Sequence, residues 1–206
     1  QNRRASLAGE TSKLYIDVYN GTAWVMDADS VVTDMQAWNE VTVDLSAGTA
    51  SVMGGGNSTL MNIDGVATGS GDDDINGNAN NNGLSGGAGN DTIDGFGGNN
   101  TINGGDGNDY INAHSGDDIV DGGQGKDKIY GGSGSDILTG GEGHDTFVFR
   151  TGDLDGSQDI ITDFTCDGGE SDRIDLRGLD LLSDGISFED WLATCVSYDS
   201  NIGVAI

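Results

Sequence analysis

An aspartate, or less often an asparagine, recurs every nine residues through the middle of this chain, in a constant setting of glycines. The unit is G-G-x-G-x-D-x-U-x, where U is a large apolar residue, and GGAGNDTID (86–94) is a complete copy. Glycines at the first, second and fourth positions allow positive φ and close backbone approach, so carbonyl oxygens can turn toward a common point. The sixth-position aspartate adds a carboxylate. Ca²⁺ takes roughly six to eight such oxygens, and the spacing therefore predicts a row of calcium sites.

The nine-residue unit runs without a slip from Thr68 to Val148. A flexible glycine-rich linker would keep no such register, so the repetition predicts a solenoid whose units bury their apolar sides by stacking. The x-U-x part is expected to form a very short strand with its middle side chain pointing inward, where β-branched residues are favoured. The eighth positions hold Ile75, Leu84, Ile93, Ile102, Ile111, Val120, Ile129, Leu138 and Phe147.

Nine residues make half a coil, so alternate units should stack on the same side and form two parallel sheets at a strand spacing of about 4.8 Å. The sixth positions then divide into two edges. The first edge holds Asp73, Asp91, Asp109, Asp127 and Asp145, and the second edge holds Asn82, Asn100, Asp118 and Asp136. An amide offers an oxygen but no charge, so we expect weaker or empty sites beside Asn82 and Asn100. Replacing Asp109 should also weaken calcium binding more than replacing Asp136, which has one full neighbour.

The composition alone would predict disorder. The chain has 206 residues, a net charge of −27, 37 glycines and no proline, so it buries little apolar surface and repels itself. Neighbouring carboxylates about 4.8 Å apart repel by roughly 3 kcal/mol at an effective dielectric constant near 20. Calcium would neutralise the carboxylates and tie the coils together, so we expect folding and metal binding to be one process.

Several classes of function are disfavoured. The chain has no basic patch to replace the counterions of a nucleic acid, and its acidity disfavours anionic membrane surfaces. No stretch approaches the roughly twenty apolar residues of a membrane helix, so membrane insertion is not expected. The start, QNRRASLAGE, lacks the apolar core of a secretory signal. Cys166 and Cys195 lie outside the repeats, and either one disulfide or two unpaired thiols fits them.

The repeats resemble the RTX (repeats-in-toxin) modules of Gram-negative secreted proteins. The segments GSQDIITDF (156–164) and SDRIDLRGLD (171–180) are similar to those that close the β-roll in serralysin-type proteases, RTX lipases, alginate epimerases and large adhesins. The resemblance implies an all-β fold, a right-handed parallel β-roll. It also implies export by a one-step type I system, with a C-terminal signal, to the exterior or the cell surface of a Gram-negative bacterium.

The resemblance also implies a ligand set, because in related β-rolls the sixth-position aspartate and the carbonyls of the second and fourth positions bind the metal. Asp73 and Asp118 stand in incomplete copies, since Thr68, Ala113 and His114 replace glycines. We expect at least five calcium ions. The complete sets are Asp91 with Gly87 and Gly89, Asp109 with Gly105 and Gly107, Asp127 with Gly123 and Gly125, Asp136 with Gly132 and Gly134, and Asp145 with Gly141 and Gly143.

We divide the chain into residues 1–52, a β-rich N-terminal cap, residues 53–148, the calcium β-roll, and residues 149–206, the C-terminal cap. Within the first part, Asn20-Gly21 predicts a hairpin, and Val41 to Val52 predicts strand, turn and strand.

Three further segments outside the regular repeats carry predictions. Val31, Val32, Met35 and Trp38 stand near helical spacing, so Ser30 to Trp38 predicts a short helix. Met53 to Met61 resembles a degraded repeat with Ser58 in the aspartate place, and Asn62 to Ala67 would be a linker that absorbs its offset in register. Ser187 to Thr194 predicts a second short helix, capped by Ser187.

Catalytic chemistry has little support in the sequence. His114 and His144 are the only histidines and occupy variable turn positions, and there is no HExxH zinc motif. GLSGG (83–87) matches G-x-S-x-G, but a glycine-rich repeat produces that match by chance. Asp153 and Asp155 fit a solvated acidic loop better than additional ligands. We therefore expect no catalytic residues.

These observations predict a non-catalytic extracellular calcium-binding module whose calcium-induced folding follows secretion and stabilises a longer secreted polypeptide. One alternative is an adhesin, surface-layer or carbohydrate-binding segment with a glycan or surface partner. Another is a fragment of a secreted RTX hydrolase or epimerase, although residues 1–52 contain no acid–base constellation.

Overall fold

The structure, a computed structural model, describes residues 18–19, 22–23, 30–32, 41–44, 47, 49–52, 58–59, 63–153, 155–165, 171–179, 197–199 and 203–205. Its first ten strands are β1 (Val18–Tyr19), β2 (Thr22–Ala23), β3 (Ser30–Val32), β4 (Val41–Asp44), β5 (Thr49–Val52), β6 (Ser58–Thr59), β7 (Ile63–Ala67), β8 (Asp74–Asn78), β9 (Gly83–Ala88) and β10 (Thr92–Phe96). The others are β11 (Thr101–Asp106), β12 (Tyr110–Asn112), β13 (Ile119–Gly125), β14 (Lys128–Tyr130), β15 (Ile137–Gly143), β16 (Thr146–Arg150), β17 (Ile160–Ile161), β18 (Arg173–Gly178), β19 (Ser197–Asp199) and β20 (Gly203–Ala205).

Strands of alternate repeat units lie in two parallel sheets, as the nine-residue period predicts. Ile93 pairs with Ile75 and Ile111 in the first sheet, and Ile102 pairs with its neighbours 18 residues away in the second sheet. The strand order is β18-β16-β14-β12-β10-β8-β4-β5-β6 in the first sheet and β19-β20-β17-β15-β13-β11-β9-β7-β3 in the second. The two-sheet solenoid is confirmed.

Apolar side chains from the eighth positions of both sheets fill the space between the sheets. Every eighth-position residue of the repeats is buried, and none is more than 2% exposed. Val43 and Val66 extend this core toward the N-terminus, and Phe149 and Ile161 extend it toward the C-terminus. Each buried aliphatic side chain contributes roughly 1.5–3 kcal/mol. The stabilisation from this core is therefore small beside the repulsion among the acidic side chains.

The fifth positions form a polar ladder that we did not anticipate. The Asn90 backbone N–H donates to Asp72 Oδ1 (2.7 Å), and the Asn108 N–H donates to Asn90 Oδ1 (2.9 Å). On the second edge, the Asn99 N–H donates in the same way to Asn81 Oδ1 (2.8 Å). These bonds join successive coils without any cation.

Part of the N-terminal region agrees with the sequence predictions. β1 and β2 pair antiparallel around Asn20-Gly21, which confirms the hairpin. β4 and β5 also pair antiparallel, which confirms strand, turn and strand in 41–52. β4 in addition pairs parallel with β8, where Val43 faces Ile75, so this hairpin closes one end of the first sheet.

Two predictions in this region are wrong. Residues 30–32 form strand β3 rather than the start of a helix, and β3 pairs parallel with β7; the β-branched Val31 and Val32 suit a strand. The rest of the predicted helix, residues 33–38, lies outside the described residues. Residues 63–67 are not a linker, because β7 pairs with β9 and sets the buried Val66 opposite Leu84. Val66 lies nine residues before Ile75 and therefore shares the register of the repeats.

The segment 53–61 is not a degraded parallel repeat in the part that the structure describes. Ser58 and Thr59 form β6, which pairs antiparallel with β5. A parallel strand of the solenoid requires an apolar side chain that faces inward at the eighth position. The inward side chain that pairs opposite Leu84 is Val66 of β7, and it does not come from residues 53–61.

Parallel stacking continues past Val148. Leu138 of β15 faces Ile161 of β17, and Phe147 of β16 faces Ile174 of β18. The antiparallel pair β19 and β20 joins the second sheet through β17. The helix predicted at Ser187 to Thr194, with Cys166 and Cys195, lies outside the described residues.

Helix is almost absent from the described ranges. One 3-10 turn spans Thr151–Asp153. No helix in these ranges is long and apolar enough to cross a membrane.

Candidate calcium sites

The aspartates of the first edge form a continuous hydrogen-bonded column. The backbone N–H of Asp91 donates to Asp109 Oδ1 (2.7 Å), that of Asp109 donates to Asp127 Oδ1 (2.8 Å), and that of Asp127 donates to Asp145 Oδ1 (2.9 Å). The N–H of Asp73 donates to Asp91 Oδ1 in the same way (2.8 Å). One oxygen of each acceptor carboxylate is thus held by the preceding coil.

The second edge repeats this arrangement with two amides at its start. The Asn82 N–H donates to Asn100 Oδ1 (2.9 Å), the Asn100 N–H donates to Asp118 Oδ1 (2.7 Å), and the Asp118 N–H donates to Asp136 Oδ1 (2.9 Å). The two edges therefore share one backbone geometry, and they differ in the charge of the side chains.

In six of these aspartates the other carboxylate oxygen is buried without a hydrogen-bond partner. A buried carboxylate oxygen left in this way is costly unless a positive charge neutralises it. Six such Oδ2 atoms point into the turns, so the residues present fit a bound cation. These atoms belong to Asp91, Asp109, Asp118, Asp127, Asp136 and Asp145.

Burial opposes ionisation of these carboxyl groups. It raises the pKa of Asp91, Asp118 and Asp127 to about 7, with repulsion from neighbouring aspartates adding to the effect and the backbone hydrogen bonds opposing it. Burial likewise raises the pKa of Asp136 to about 6. The pKa values of Asp109 and Asp145 rise for the same main reason. A divalent cation would remove the opposition to ionisation.

The glycines are required by the close approach of successive coils. Gly87 (φ 103°) and Gly89 (φ 133°) hold conformations that other residues rarely adopt, and a Cβ there would collide with carbonyl oxygens of the preceding coil. Carbonyls of the second and fourth positions therefore stack along the edge. The predicted ligand glycines with the same constraint are Gly105, Gly107, Gly123, Gly125, Gly132, Gly134, Gly141 and Gly143.

The first-position glycines leave room for the carboxylates. A Cβ at Gly86 would collide with Asp91 Oδ2, and one at Gly104 would collide with Asp109 Oδ2. Each aspartate is thus held against the turn of its own repeat unit, and the requirement for the first glycine is steric.

The two asparagines supply the hydrogen-bond donor that an ionised aspartate lacks. Asn100 Nδ2 donates to the carbonyl of Gly98 (3.2 Å), the fourth-position carbonyl of its own unit. Asn82 Nδ2 donates to the carbonyl of Asp64 (3.4 Å). In both places a side-chain amide makes a contact that a cation could otherwise supply.

The incomplete copies keep the backbone of the complete ones. His114 replaces a second-position glycine yet holds φ at 75°, and a Cβ at Gly132 would collide with the His114 carbonyl just as it would with that of a glycine. The His114 ring stacks on Phe96, which also has positive φ, and its Nε2 lies 3.2 Å from Asp94 Oδ1. Thr68, which replaces a first-position glycine, donates its hydroxyl to the Gly86 carbonyl of the next coil.

Two further aspartates extend the columns beyond the repeats, and sequence reasoning missed them. The Asp136 N–H donates to Asp159 Oδ1 (2.9 Å), and the Asp145 N–H donates to Asp172 Oδ1 (3.0 Å). Burial raises the pKa of Asp159 to about 7. The available signal was the triplet D-x-U, which occurs as DII (159–161) and DRI (172–174) without the glycines.

The acidic loop after the repeats makes backbone contacts. Asp153 Oδ2 accepts from the Arg150 N–H (2.6 Å), and Asp155 Oδ2 accepts from the Gly134 N–H (3.1 Å). The Ser157 hydroxyl donates to the Gly134 carbonyl (2.5 Å). The carbonyl predicted as a ligand at Gly134 therefore already has a protein partner, unlike the arrangement implied for the regular units.

The remaining chemical motifs stay apart. GLSGG (83–87) lies in strand β9, and His144 Nδ1 accepts from the Ser171 N–H (3.0 Å). No three acidic, histidine or cysteine side chains converge on one point in the described ranges. A cation between two coils would therefore find one carboxylate on each coil and would need backbone carbonyls for its other ligands.

Comparison with known families agrees with this geometry. A family model described as the RTX calcium-binding nonapeptide repeat (4 copies) matches residues 66–93, 94–129 and 114–147. Comparison with curated proteins gives no match. Residues 66–147 therefore match the RTX calcium-binding nonapeptide repeat and form a two-sheet β-solenoid, as an RTX β-roll module would.

Proposed function

We propose that this chain is a non-catalytic extracellular module whose folding is driven by calcium and which stabilises a longer secreted protein. The observation that carries the proposal is the row of buried Oδ2 atoms without hydrogen-bond partners along both edges. Such a row opposes folding on its own and favours it once divalent cations bind.

The ions would be held between successive coils. On the first edge, consecutive aspartates from Asp73 to Asp145 frame four sites, and on the second edge Asp118 and Asp136 frame a fifth. Carbonyls of the second and fourth positions complete the ligand sets. Asp159 and Asp172 add one carboxylate to the end of each column, so five ions is the smallest number that we expect.

Coupled binding and folding would suit a protein that must leave the cell. At the low calcium concentration of the cytosol the acidic columns repel and the chain stays open, which fits passage through a type I exporter. At the higher concentration outside, each bound ion stabilises the folded state by RT ln(1 + [Ca]/Kd). Folding would thus occur after export.

Calcium removal tests the proposal directly. Circular dichroism in excess EGTA at neutral pH should lose the β signal, and millimolar Ca²⁺ should restore it. Magnesium should restore little, because it prefers a small, near-octahedral and partly hydrated site. A spectrum that EGTA leaves unchanged would contradict the proposal.

A further inference from the structure

Positive charge is confined to one end of the solenoid in the part of the chain that the structure describes. The lysines and arginines there are Lys126, Lys128, Arg150, Arg173 and Arg177, whereas residues 63–125 contain none. In a chain with 35 acidic and 8 basic residues, even mixing would pair almost every cation with a carboxylate. The segregation needs a separate explanation.

Among these described cations, only Arg177 forms an ion pair with a carboxylate. Its Nη2 lies 2.5 Å from Asp175 Oδ2, and its Nε donates to Asp175 Oδ1 (2.8 Å). Lys128 and Arg150 instead lie on tyrosine rings.

The four residues Tyr110, Lys128, Tyr130 and Arg150 form what we call the phenol–cation cluster, on the outer face of the first sheet. Lys128 Nζ lies 5.5 Å from the centroid of the Tyr110 ring and 5.1 Å from that of Tyr130, and Arg150 Cζ lies 4.3 Å from the Tyr130 centroid. The two ring centroids are 5.3 Å apart. Strand register fixes part of this geometry, because Tyr110 of β12 pairs with Lys128 of β14.

The cluster favours negative charge. Two positively charged groups, the Lys128 ammonium and the Arg150 guanidinium, lie on the one ring of Tyr130. A negative charge placed beside Tyr130 is therefore stabilised, although the chain as a whole is strongly acidic.

Cation–π contact explains where the charged groups of Lys128 and Arg150 lie, but neither forms an ion pair with a carboxylate among the described residues. Both residues are exposed, so N–H donors of the two charged groups face solvent. The ammonium group, the guanidinium group and the half-buried Tyr110 phenol form a donor set for an oxyanion, and such charge-assisted hydrogen bonds are the strong ones. Tyr130 is buried and holds the two cations in place through its hydroxyl and its ring.

We propose that the phenol–cation cluster binds a sulfate-type oxyanion carried by an otherwise neutral molecule. The cations cover the tyrosine faces, so the site recognises the anion rather than a stacked sugar ring. The chain carries a net charge of −27, which would repel a long polyanion such as a nucleic acid. Lys128 also lines a groove that gives the carrier molecule room beside the anion. Its other charged side chains are Lys126, Arg173 and Arg177 with Asp127, Asp145, Asp172 and Asp175, so a carrier with further negative charge is disfavoured there.

Titration of the calcium-loaded full chain tests this site. Inorganic sulfate and galactose 6-sulfate are the probes, galactose is the uncharged control, and calorimetry with NMR of the tyrosine rings is the measurement. We expect saturable binding of both anions and none of galactose. Tighter binding of galactose 6-sulfate would identify a sugar-borne group as the ligand, and equal binding would identify the free anion; both results support the site.

The variants locate the anion. Lys128→Met and Arg150→Met keep the apolar stems and should each weaken binding by about tenfold or more. Lys126→Met removes an exposed lysine that lies outside the cluster but lines the groove, so it should leave the binding of inorganic sulfate unchanged. Tyr130→Phe keeps the ring but removes the hydroxyl that holds the two cations in place, so it should weaken binding without loss of the fold. Circular dichroism confirms that each variant still folds with calcium, which separates this test from that of calcium-driven folding.

Two results would overturn the proposal. One is the absence of saturable binding of either anion to the folded chain. The other is unchanged affinity in the Lys128→Met and Arg150→Met variants.

Discussion

At the residue scale, the asparagine positions show what an aspartate column requires. Asn100 donates its amide to the Gly98 carbonyl, whereas Asp109 in the equivalent place has a buried Oδ2 without a hydrogen-bond partner. The same backbone therefore accepts either an internal donor or a cation. Whether the sixth-position side chain carries Nδ2, as in asparagine, or Oδ2, as in aspartate, decides between the two.

Asp109→Asn should consequently have opposite effects with and without calcium. With calcium it removes a carboxylate from two neighbouring sites, and we expect stability to fall by about 3 kcal/mol. Without calcium the new amide can donate to the Gly107 carbonyl as Asn100 does to Gly98, so the metal-free fold should become more stable. Denaturant unfolding measures the loss with calcium, and the β signal that remains in circular dichroism in EGTA at neutral pH measures the gain without it. The reverse variant, Asn100→Asp, is the matched control and should destabilise the metal-free fold.

The structure changes one comparison between aspartates. Asp136 was expected to tolerate replacement better than Asp109 because it has one full neighbour, but Asp159 now stands on its other side. Among the repeat aspartates of the second edge, Asp118, which follows Asn100, is the one with a single full neighbour. We therefore expect calcium titrations to rank Asp118→Asn as milder than Asp109→Asn, and equal losses would show that the carbonyls set the affinity.

At the element scale, strands β17 and β18 continue the solenoid after the glycines end. Each begins next to an aspartate that accepts a backbone hydrogen bond from the last repeat of its edge, and each places an apolar side chain opposite the core. The C-terminal segment is thus joined to the calcium columns as well as to the sheets.

Asp159→Asn and Asp172→Asn should each reduce the number of bound calcium ions or the affinity of the last one. The reason is that each removes the final carboxylate of a column. Calorimetric calcium titration measures the stoichiometry and the affinity. Asp155→Asn is the control, since Asp155 is exposed and accepts the Gly134 N–H. The same titration curve for Asp159→Asn, Asp172→Asn and the control would show that the columns end with the repeats.

The glycine pattern predicts register, sheet pairing and the two edges, but it does not reveal strands that lack glycine. β7, β17 and β18 share the inward apolar side chain and lack the full motif. Glycine is needed only where carbonyls of successive coils nearly touch, whereas a rung needs burial and backbone pairing. A search for D-x-U alone would have found Asp159 and Asp172. The phenol–cation cluster depends on cross-strand neighbours 18–20 residues apart, which no local pattern shows.

At the scale of the whole molecule, metal-free and calcium-loaded forms should respond to pH in opposite directions. Without calcium, the folded-state pKa values of Asp91, Asp118 and Asp127 are about 7, above the ordinary value of 3.8. The folded chain then holds protons that the unfolded chain releases, so its stability is greatest below pH 4 and falls as the pH rises toward 7. Calcium needs ionised carboxylates, so acid weakens the loaded form.

Protein freed of calcium on a chelating resin should therefore show more β signal at pH 5 than at pH 7.5. With millimolar calcium, the midpoint of thermal unfolding should be higher at pH 7.5. Circular dichroism measures both. Metal-free protein that is equally unfolded at both pH values would show that charge on the columns is not what keeps the chain open.

The stacking order has a mechanical consequence. β4 and β7 close one end of the coil stack and β17 and β18 continue the other, so tension between these ends loads the coils in series. Each coil that detaches frees 18 residues, which extend to about 60 Å at most, while the coils behind it keep their own ions. A solenoid of this kind would lengthen in equal steps under load, and the surrounding calcium concentration would set the force at which each step occurs.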